Sequence, residues 1–317
     1  QKTKGFHKVG VADIDGLSAK HIAETFGFEY SASNYRDLIE DENVHAVFIL
    51  TRHDSHANLV VEGLRAGKAV FVEKPLAITP EQLDLVVAAY TDSVREGKTP
   101  YLMVGFNRRF APTARRARRF IGQKAPGAVI ACRCNAGMVP ADSWVQNREE
   151  GGGRIIGEVC HFVDLLQFLT GSFPEKVFAS SARSDQNTKD NLCIVLQMDN
   201  QAACSIVYTS AGDKTFPREY VEIFAGGVCV IDDFRSIEIV SRGKRRRWRG
   251  LSVDRGHVAE LTHFFGNLRK GEAAPVPFSE YVATTLATFA IEESLITGQS
   301  VTCPSIRLDV NTPIGDQ

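Results

Sequence analysis

The chain has no surplus of charge of either sign: 37 lysines and arginines against 38 acidic residues leave a net charge of -1. That balance excludes a global pull toward nucleic acid or an anionic membrane, so any charge-driven partner has to use a local patch. No apolar run approaches the roughly 18 to 20 residues that a membrane helix needs, which predicts a soluble protein without a membrane partner. Cysteine is scarce and unpaired. The seven residues are odd in number, and Cys132 and Cys134, the one close pair, alternate as strand residues do. They read as packing and not as a metal site, and a reducing compartment, hence the cytoplasm, fits this usage and the lack of a visible export signal. A glycine-rich phosphate loop is also missing ahead of the first strand. Because the chain starts at Gln1 and is strand-like by Val9, its amino terminus reads as cut.

What is present suffices for two cores. The 317 residues are 44% hydrophobic and 24% charged, and single cores stop growing at roughly 250 to 300 residues. Over the first third, short apolar runs (Val9–Ala12, Ala46–Leu50, Ala69–Val72, Tyr101–Val104) alternate with segments of helical period, among them Ala57–Ala66 after a Ser55 cap and a helix opened by Thr79-Pro80-Glu81. This grammar predicts a doubly wound parallel sheet with every carboxyl strand end on one edge. After Phe106 it changes. A basic helix over Phe110–Ile121 and a long helix entered through a flexible Gly151-Gly152-Gly153 are followed by strand-like runs with no helices between them. Two closing helices, near His257–Leu268 and Ser279–Ile296, would cover one face of the mostly antiparallel sheet those runs predict. The expected fold class is α/β, with domains at residues 1–106 and 107–317.

Polar groups gather where the parallel strands end. Glu73-Lys74-Pro75 ends the run Ala69–Val72, putting a carboxylate and a cation on the ligand-facing edge. Asp13 ends the first run, where a dinucleotide fold accepts ribose hydroxyls and favours NAD over NADP; it reads equally as a turn into the next helix. Thr51, Arg52, His53 and His56 follow the run ending at Leu50. They are cofactor-side candidates, since the two histidines have no third partner at metal spacing and no metal is expected. In Gly157–Asp164, helical spacing lets Glu158 meet His161 and puts His161 and Asp164 on one stripe. The basic runs Arg108–Arg119 and Lys244–Arg249 read as a solvated helix face and a hairpin tip, with nucleic acid not expected as a partner.

Three motifs stand in fixed order: Phe71-Val72-Glu73-Lys74-Pro75-Leu76, Gly105-Phe106-Asn107-Arg108-Arg109-Phe110, and the glycine triplet with His161 and Asp164. Together they resemble the glucose-fructose oxidoreductase / inositol 2-dehydrogenase (Gfo/Idh/MocA) family from Val9 to the end. The resemblance implies a Rossmann domain, here without its first strand and loop, and an α/β domain whose open sheet carries the substrate site and the oligomer contact. It implies NAD, with NADP less favoured, and a homo-oligomer, dimer or tetramer. It implies Lys74 and His161 as catalytic residues, Glu73 near the nicotinamide ribose, a cis bond at Lys74-Pro75, and Asn107, Arg108 and Asp164 on the substrate side.

Departures from the family pattern are visible. Thr51 keeps its place, but Arg52 and His53 differ from the family's turn, and the aspartate four residues before the histidine is Gly157, with Glu158 as the candidate substitute. The wording of Arg52–His56 and Gly157–His161 is similar to a subgroup fused behind a zinc-type alcohol dehydrogenase module. The implied activity is reversible oxidation of a secondary alcohol on a sugar, sugar nucleotide or cyclitol. Its rivals are an NAD-recycling glycosidase of the same family and a non-catalytic binding module that keeps the fold.

Overall fold

The computed structural model describes residues 5–182 and 190–304. Its first part is a βα alternation: β1 (Gly10–Ala12), α1 (Gly16–Phe26), β2 (Tyr30–Ala32), α2 (Arg36–Glu40), β3 (Ala46–Ile49), α3 (His53–Arg65), β4 (Ala69–Val72), α4 (Pro80–Arg95) and β5 (Leu102–Val104). Every strand pair here is parallel, but the strands form two sheets, β1-β2 and β3-β4-β5, with no pairing between them among the described residues. β4 is buried along its whole length, which is why its sequence is apolar without alternation. Local chemistry sets the helix ends. The Thr79 hydroxyl accepts from the Gln82 N–H (3.2 Å), Gln82 Oε1 accepts from the Ile78 N–H (2.9 Å), and Pro80 occupies the first turn of α4.

α3 begins at His53, four residues ahead of the expected start. Ser55 does not cap it; its hydroxyl donates back to the Arg52 carbonyl (2.9 Å). The chain then passes through a 3-10 turn at Asn107–Phe110 into α5 (Pro112–Ile121) and β6 (Val129–Asn135). A π turn at Ile155–Val159 leads into α6 (Cys160–Thr170). Next come β7 (Pro174–Ser181), β8 (Asn191–Met198), β9 (Ala203–Thr209), β10 (Glu219–Phe224), β11 (Val228–Asp232), β12 (Ser236–Ser241), β13 (Lys244–Arg249), α7 (His257–Lys270), α8 (Phe278–Thr297) and β14 (Val301–Thr302). Ten of these segments need not be followed further, because one sheet gathers the strands in the order β13-β12-β11-β10-β6-β9-β8-β7-β14, antiparallel except for β6-β9.

The inner face of this sheet packs on α5, α6 and the second half of α8, forming one core. The outer face leaves Val129, Phe178, Val195, Val207 and Phe224 exposed. The closing helices do not both cover this sheet, as their amphipathic period alone suggested. Phe264 of α7 and Phe278, Tyr281 and Val282 of α8 instead join β3, β4 and β5 in the other core. The two halves are thereby locked together through the carboxyl-terminal helices, and the carboxyl edge of β4 faces the start of α6. The Lys244–Arg249 run is a full edge strand paired with β12, with Arg116 of α5 laid over its Trp248 ring at 5.0 Å.

Candidate active site

Lys74 leaves the end of β4 through a cis Lys74-Pro75 bond. Its ammonium donates to the Gly157 carbonyl (2.6 Å) and to Glu158 Oε1 (3.1 Å). Glu158 Oε2 accepts from Arg218 Nη2 (3.1 Å), just ahead of β10. One carboxylate on the π turn therefore joins a cation from the parallel sheet to a cation from the antiparallel one. The side chains of Lys74 and Glu158 are only 16% and 21% exposed, so the pair is screened less than a surface ion pair.

Burial pushes the Glu158 carboxyl up, but Lys74, Arg154, Arg218 and Arg108 outweigh it and hold the group at about 2, below its ordinary 4.5. A depressed folded value means the carboxylate stabilises the fold fully above 4.5 and loses that contribution as pH falls toward about 2. The stability gap between the wild type and Glu158→Gln, measured by denaturant unfolding, is expected to be constant from pH 7 to pH 5 and to shrink below that. A gap independent of pH would mean that Glu158 is not the charged partner of these cations.

His161 lies on the first turn of α6, 6% exposed, with its ring edge-on to Phe106 at 6.0 Å. Its Nδ1 is buried without a hydrogen-bond partner. Burial, then the cations Arg108, Lys74 and Arg218, lower its pKa well below 6.5, so the resting imidazole is neutral. The expected Glu158–His161 contact is absent, since both Glu158 oxygens are taken by Lys74 and Arg218. The π turn is the reason: its wider winding breaks the three-residue stacking that an α-helix would give. Gly157 has a packing role as well. A Cβ there would fall 3.0 Å from His53 Cε1, so an acidic side chain at this position would crowd that ring.

Several expected cofactor and substrate contacts sit in the interior instead. His56 is fully buried, with Nδ1 2.8 Å from the Pro75 carbonyl oxygen and Nε2 3.1 Å from that of Thr51; it ties the two crevice-edge loops together. The His53 Nδ1 lies 2.7 Å from the Gly151 carbonyl oxygen, its ring is edge-on to Trp144 at 4.8 Å, and burial lowers its pKa to about 4. Arg52 pairs with Glu150 and lies over Trp144 at 5.7 Å. The glycine triplet is therefore not a flexible entry: a Cβ at Gly151 would be 2.5 Å from the Trp144 carbonyl oxygen, so glycine is required by close packing.

The substrate-side expectation for Asn107, Arg108 and Asp164 is corrected in the same way. Arg108 makes a two-pronged pair with Glu219 (2.8 and 2.9 Å), and Glu219 also holds Arg255 (3.0 Å). Asp164 is fully buried, with both oxygens on Arg109. Asn107 donates to the Arg255 carbonyl (2.9 Å). These motif residues weld the 3-10 turn to the second domain; fully desolvated charges have to be paired, and here each one is.

The remaining candidates stay on the crevice edge. Asp13 Oδ1 accepts from the Asp15 N–H (2.9 Å), the Thr51 hydroxyl meets that of Ser55 (2.6 Å), and Glu73 lies so close to Gly105 that a Cβ there would be 2.8 Å from Glu73 Oε2. Among the described residues, no group of three or more His, Cys, Asp or Glu could hold a metal ion, and no helix is long and apolar enough to cross a membrane.

Residues 1–96 match the Gfo/Idh/MocA oxidoreductase family with its NAD-binding Rossmann fold, and residues 114–224 match the C-terminal domain of the same family. The chain belongs to the Gfo/Idh/MocA oxidoreductase family. Among its relatives, the levoglucosan dehydrogenase of Pseudarthrobacter phenanthrenivorans is 31% identical over 170 residues, 51% of this chain but only 42% of that protein. Longer matches run to the trans-1,2-dihydrobenzene-1,2-diol dehydrogenase of Xenopus tropicalis (26% identical, 88% of this chain and 87% of that protein) and the myo-inositol 2-dehydrogenase of Thermotoga maritima (25%, 92% and 89%). A solved levoglucosan dehydrogenase in complex with NADH has the same fold as this family member, with a TM-score of 0.84 at 22% identity over 95% of this chain and 91% of that one.

Proposed function

We propose that this Gfo/Idh/MocA protein oxidises a secondary alcohol of a sugar-like or cyclitol substrate, or reduces the matching ketone, with NAD as the redox partner. The observation that carries this reading is the Lys74 ammonium, held at the carboxyl edge of the parallel sheet by Gly157 and Glu158 with a neutral His161 one turn further on. The names of the relatives, dehydrogenases of levoglucosan, inositol and a dihydrodiol, support it.

The residues present fit the two ends of a nicotinamide dinucleotide. Asp13 keeps one carboxylate oxygen clear of the Asp15 N–H for ribose hydroxyls, which favours NAD over NADP, and Glu73 is let in against the backbone of Gly105 beside Lys74. Bound there, NAD supplies the acceptor for the hydride that leaves the alcohol carbon. Lys74 then has two tasks: it donates to the reacting oxygen and stabilises the negative charge that grows on it in a site largely closed to water. His161, neutral at rest, takes the hydroxyl proton. Glu158 takes the place of the family's aspartate beside Lys74, fixing the direction of the ammonium.

The separation of β1-β2 from β3-β4-β5 supports a parallel strand between them, bearing the glycine-rich phosphate loop, from sequence upstream of Gln1. Calorimetry is expected to give NAD binding for a chain extended through that strand and much weaker binding for residues 1–317 alone. Equal binding by both would remove the proposed strand from the cofactor site. The exposed Val129, Phe178, Val195, Val207 and Phe224 support a second copy on the open sheet face. Sedimentation should then give a dimer or larger that Val195→Glu weakens; a wild-type monomer at all concentrations would sink that reading.

A further inference from the structure

We propose that Arg218 sets substrate specificity by receiving an acidic group, a carboxylate or a phosphate, carried by the substrate away from its reacting hydroxyl. The inference rests on the dehydrogenase reading of the Lys74 site and names the substrate class that this site would take.

Arg218 has no sequence signature, since it is one arginine among many in front of a strand. In the fold it stands beside the catalytic pair. Its Nη2 donates to Glu158 Oε2 (3.1 Å), and its Nε lies 3.8 Å from Glu219 Oε1. Both contacts use the same edge of the guanidinium, neither uses Nη1, and the side chain is 43% exposed. Two carboxylates thus orient a planar fork whose other edge is left for a ligand. A fork held in this way loses little freedom on meeting a planar or tetrahedral anion, for which its geometry is suited.

The charges around it also call for an anion. Arg108 is matched by the two-pronged pair with Glu219, and Arg255 by Glu219 and Asp233. Lys74, Arg154 and Arg218 then remain around the single carboxylate of Glu158. The further carboxylate of this region, Asp190, is 2% exposed and accepts from Gln146 (2.8 Å). A positive surplus remains after both are counted. Donors are in surplus too: Arg154 Nε and the Tyr208 hydroxyl are buried without a hydrogen-bond partner, with the Arg154 guanidinium 5.4 Å from the Tyr208 ring. A neutral polyol offers one hydrogen for each acceptor and cannot relieve such a surplus, whereas an anionic group brings acceptors and charge together.

The test measures binding of D-glucose, D-glucuronate and D-glucose 6-phosphate to the full-length protein, for wild type, Arg218→Gln and Arg218→Lys. In wild type at least one of the two anionic sugars should bind about tenfold or more tightly than glucose, the size of one charge-assisted hydrogen bond, and which one wins separates carboxylate from phosphate. The anionic-to-neutral ratio should fall to near one in Arg218→Gln, recover in part in Arg218→Lys, and shrink with added salt in wild type. A purely structural role would weaken all three ligands alike and leave the ratio unchanged. No preference in wild type, or a preference that survives in Arg218→Gln, overturns the inference even if Lys74 proves essential for turnover. A preference that follows Arg218 in a protein that turns nothing over leaves the inference standing while the dehydrogenase reading falls.

Discussion

Replacing Lys74 with alanine is expected to lower kcat by at least about 100- to 1,000-fold, the cost of removing one donor aimed at a developing oxyanion. The structure gives reason to expect the upper end. Lys74 is the cation that the parallel-sheet side brings to Glu158, and its hydrogen bonds to Gly157 and Glu158 fix its direction before any substrate arrives. Preorganisation of this kind acts on the transition state more than on the ground state, so KM should move far less than kcat. Steady-state kinetics of the Lys74→Ala protein decide the point. A loss of only a few-fold would mean that Lys74 is a structural counter-ion of Glu158.

Replacing Arg109 with leucine should destabilise the protein by about 3 to 5 kcal/mol, the cost of leaving a buried charge without its partner. Asp164 has no exposed surface and no other cation on its oxygens, and Glu280 would lose the 2.7 Å contact with Arg109 Nη1. Exchanging Arg109 and Asp164 together for leucine should recover much of that loss, because an apolar pair needs no compensation in the same space. The midpoint of urea unfolding measures both effects. If Arg109→Leu unfolds like wild type while KM rises, Asp164 faces substrate after all and the interior reading of the motif is wrong.

The residues that sequence reading placed well are those whose position follows from the backbone. Lys74 ends an unbroken apolar strand, and in a parallel sheet that fixes it on the ligand edge; the alternation of β3, α3, β4, α4 and β5 was legible for the same reason. Residues whose role depends on side-chain direction were not. Arg108, Asp164 and Asn107 belong to recognisable motifs, yet nothing in one sequence says that Glu219, Arg109 and Arg255 meet them across more than fifty positions of chain, turning apparent ligand contacts into interior pairs. Glu158 was placed correctly on the crevice but aimed at the wrong neighbour, because helical spacing was assumed where the chain winds as a π turn. His56 looked like a polar loop residue and is a fully buried tie between two carbonyl groups. In each case long-range electrostatics or a local change of winding overrode a periodic pattern.

Deuterium transfer tests the account most directly. The full-length protein would be mixed with NAD and a sugar or cyclitol carrying deuterium on its secondary alcohol carbons, and the nicotinamide analysed by mass spectrometry. The account predicts deuterium in the reduced nicotinamide of the wild type and none above background for Lys74→Ala or His161→Ala. Substrate converted with no label passing to the nicotinamide, or equal transfer by all three proteins, would contradict it.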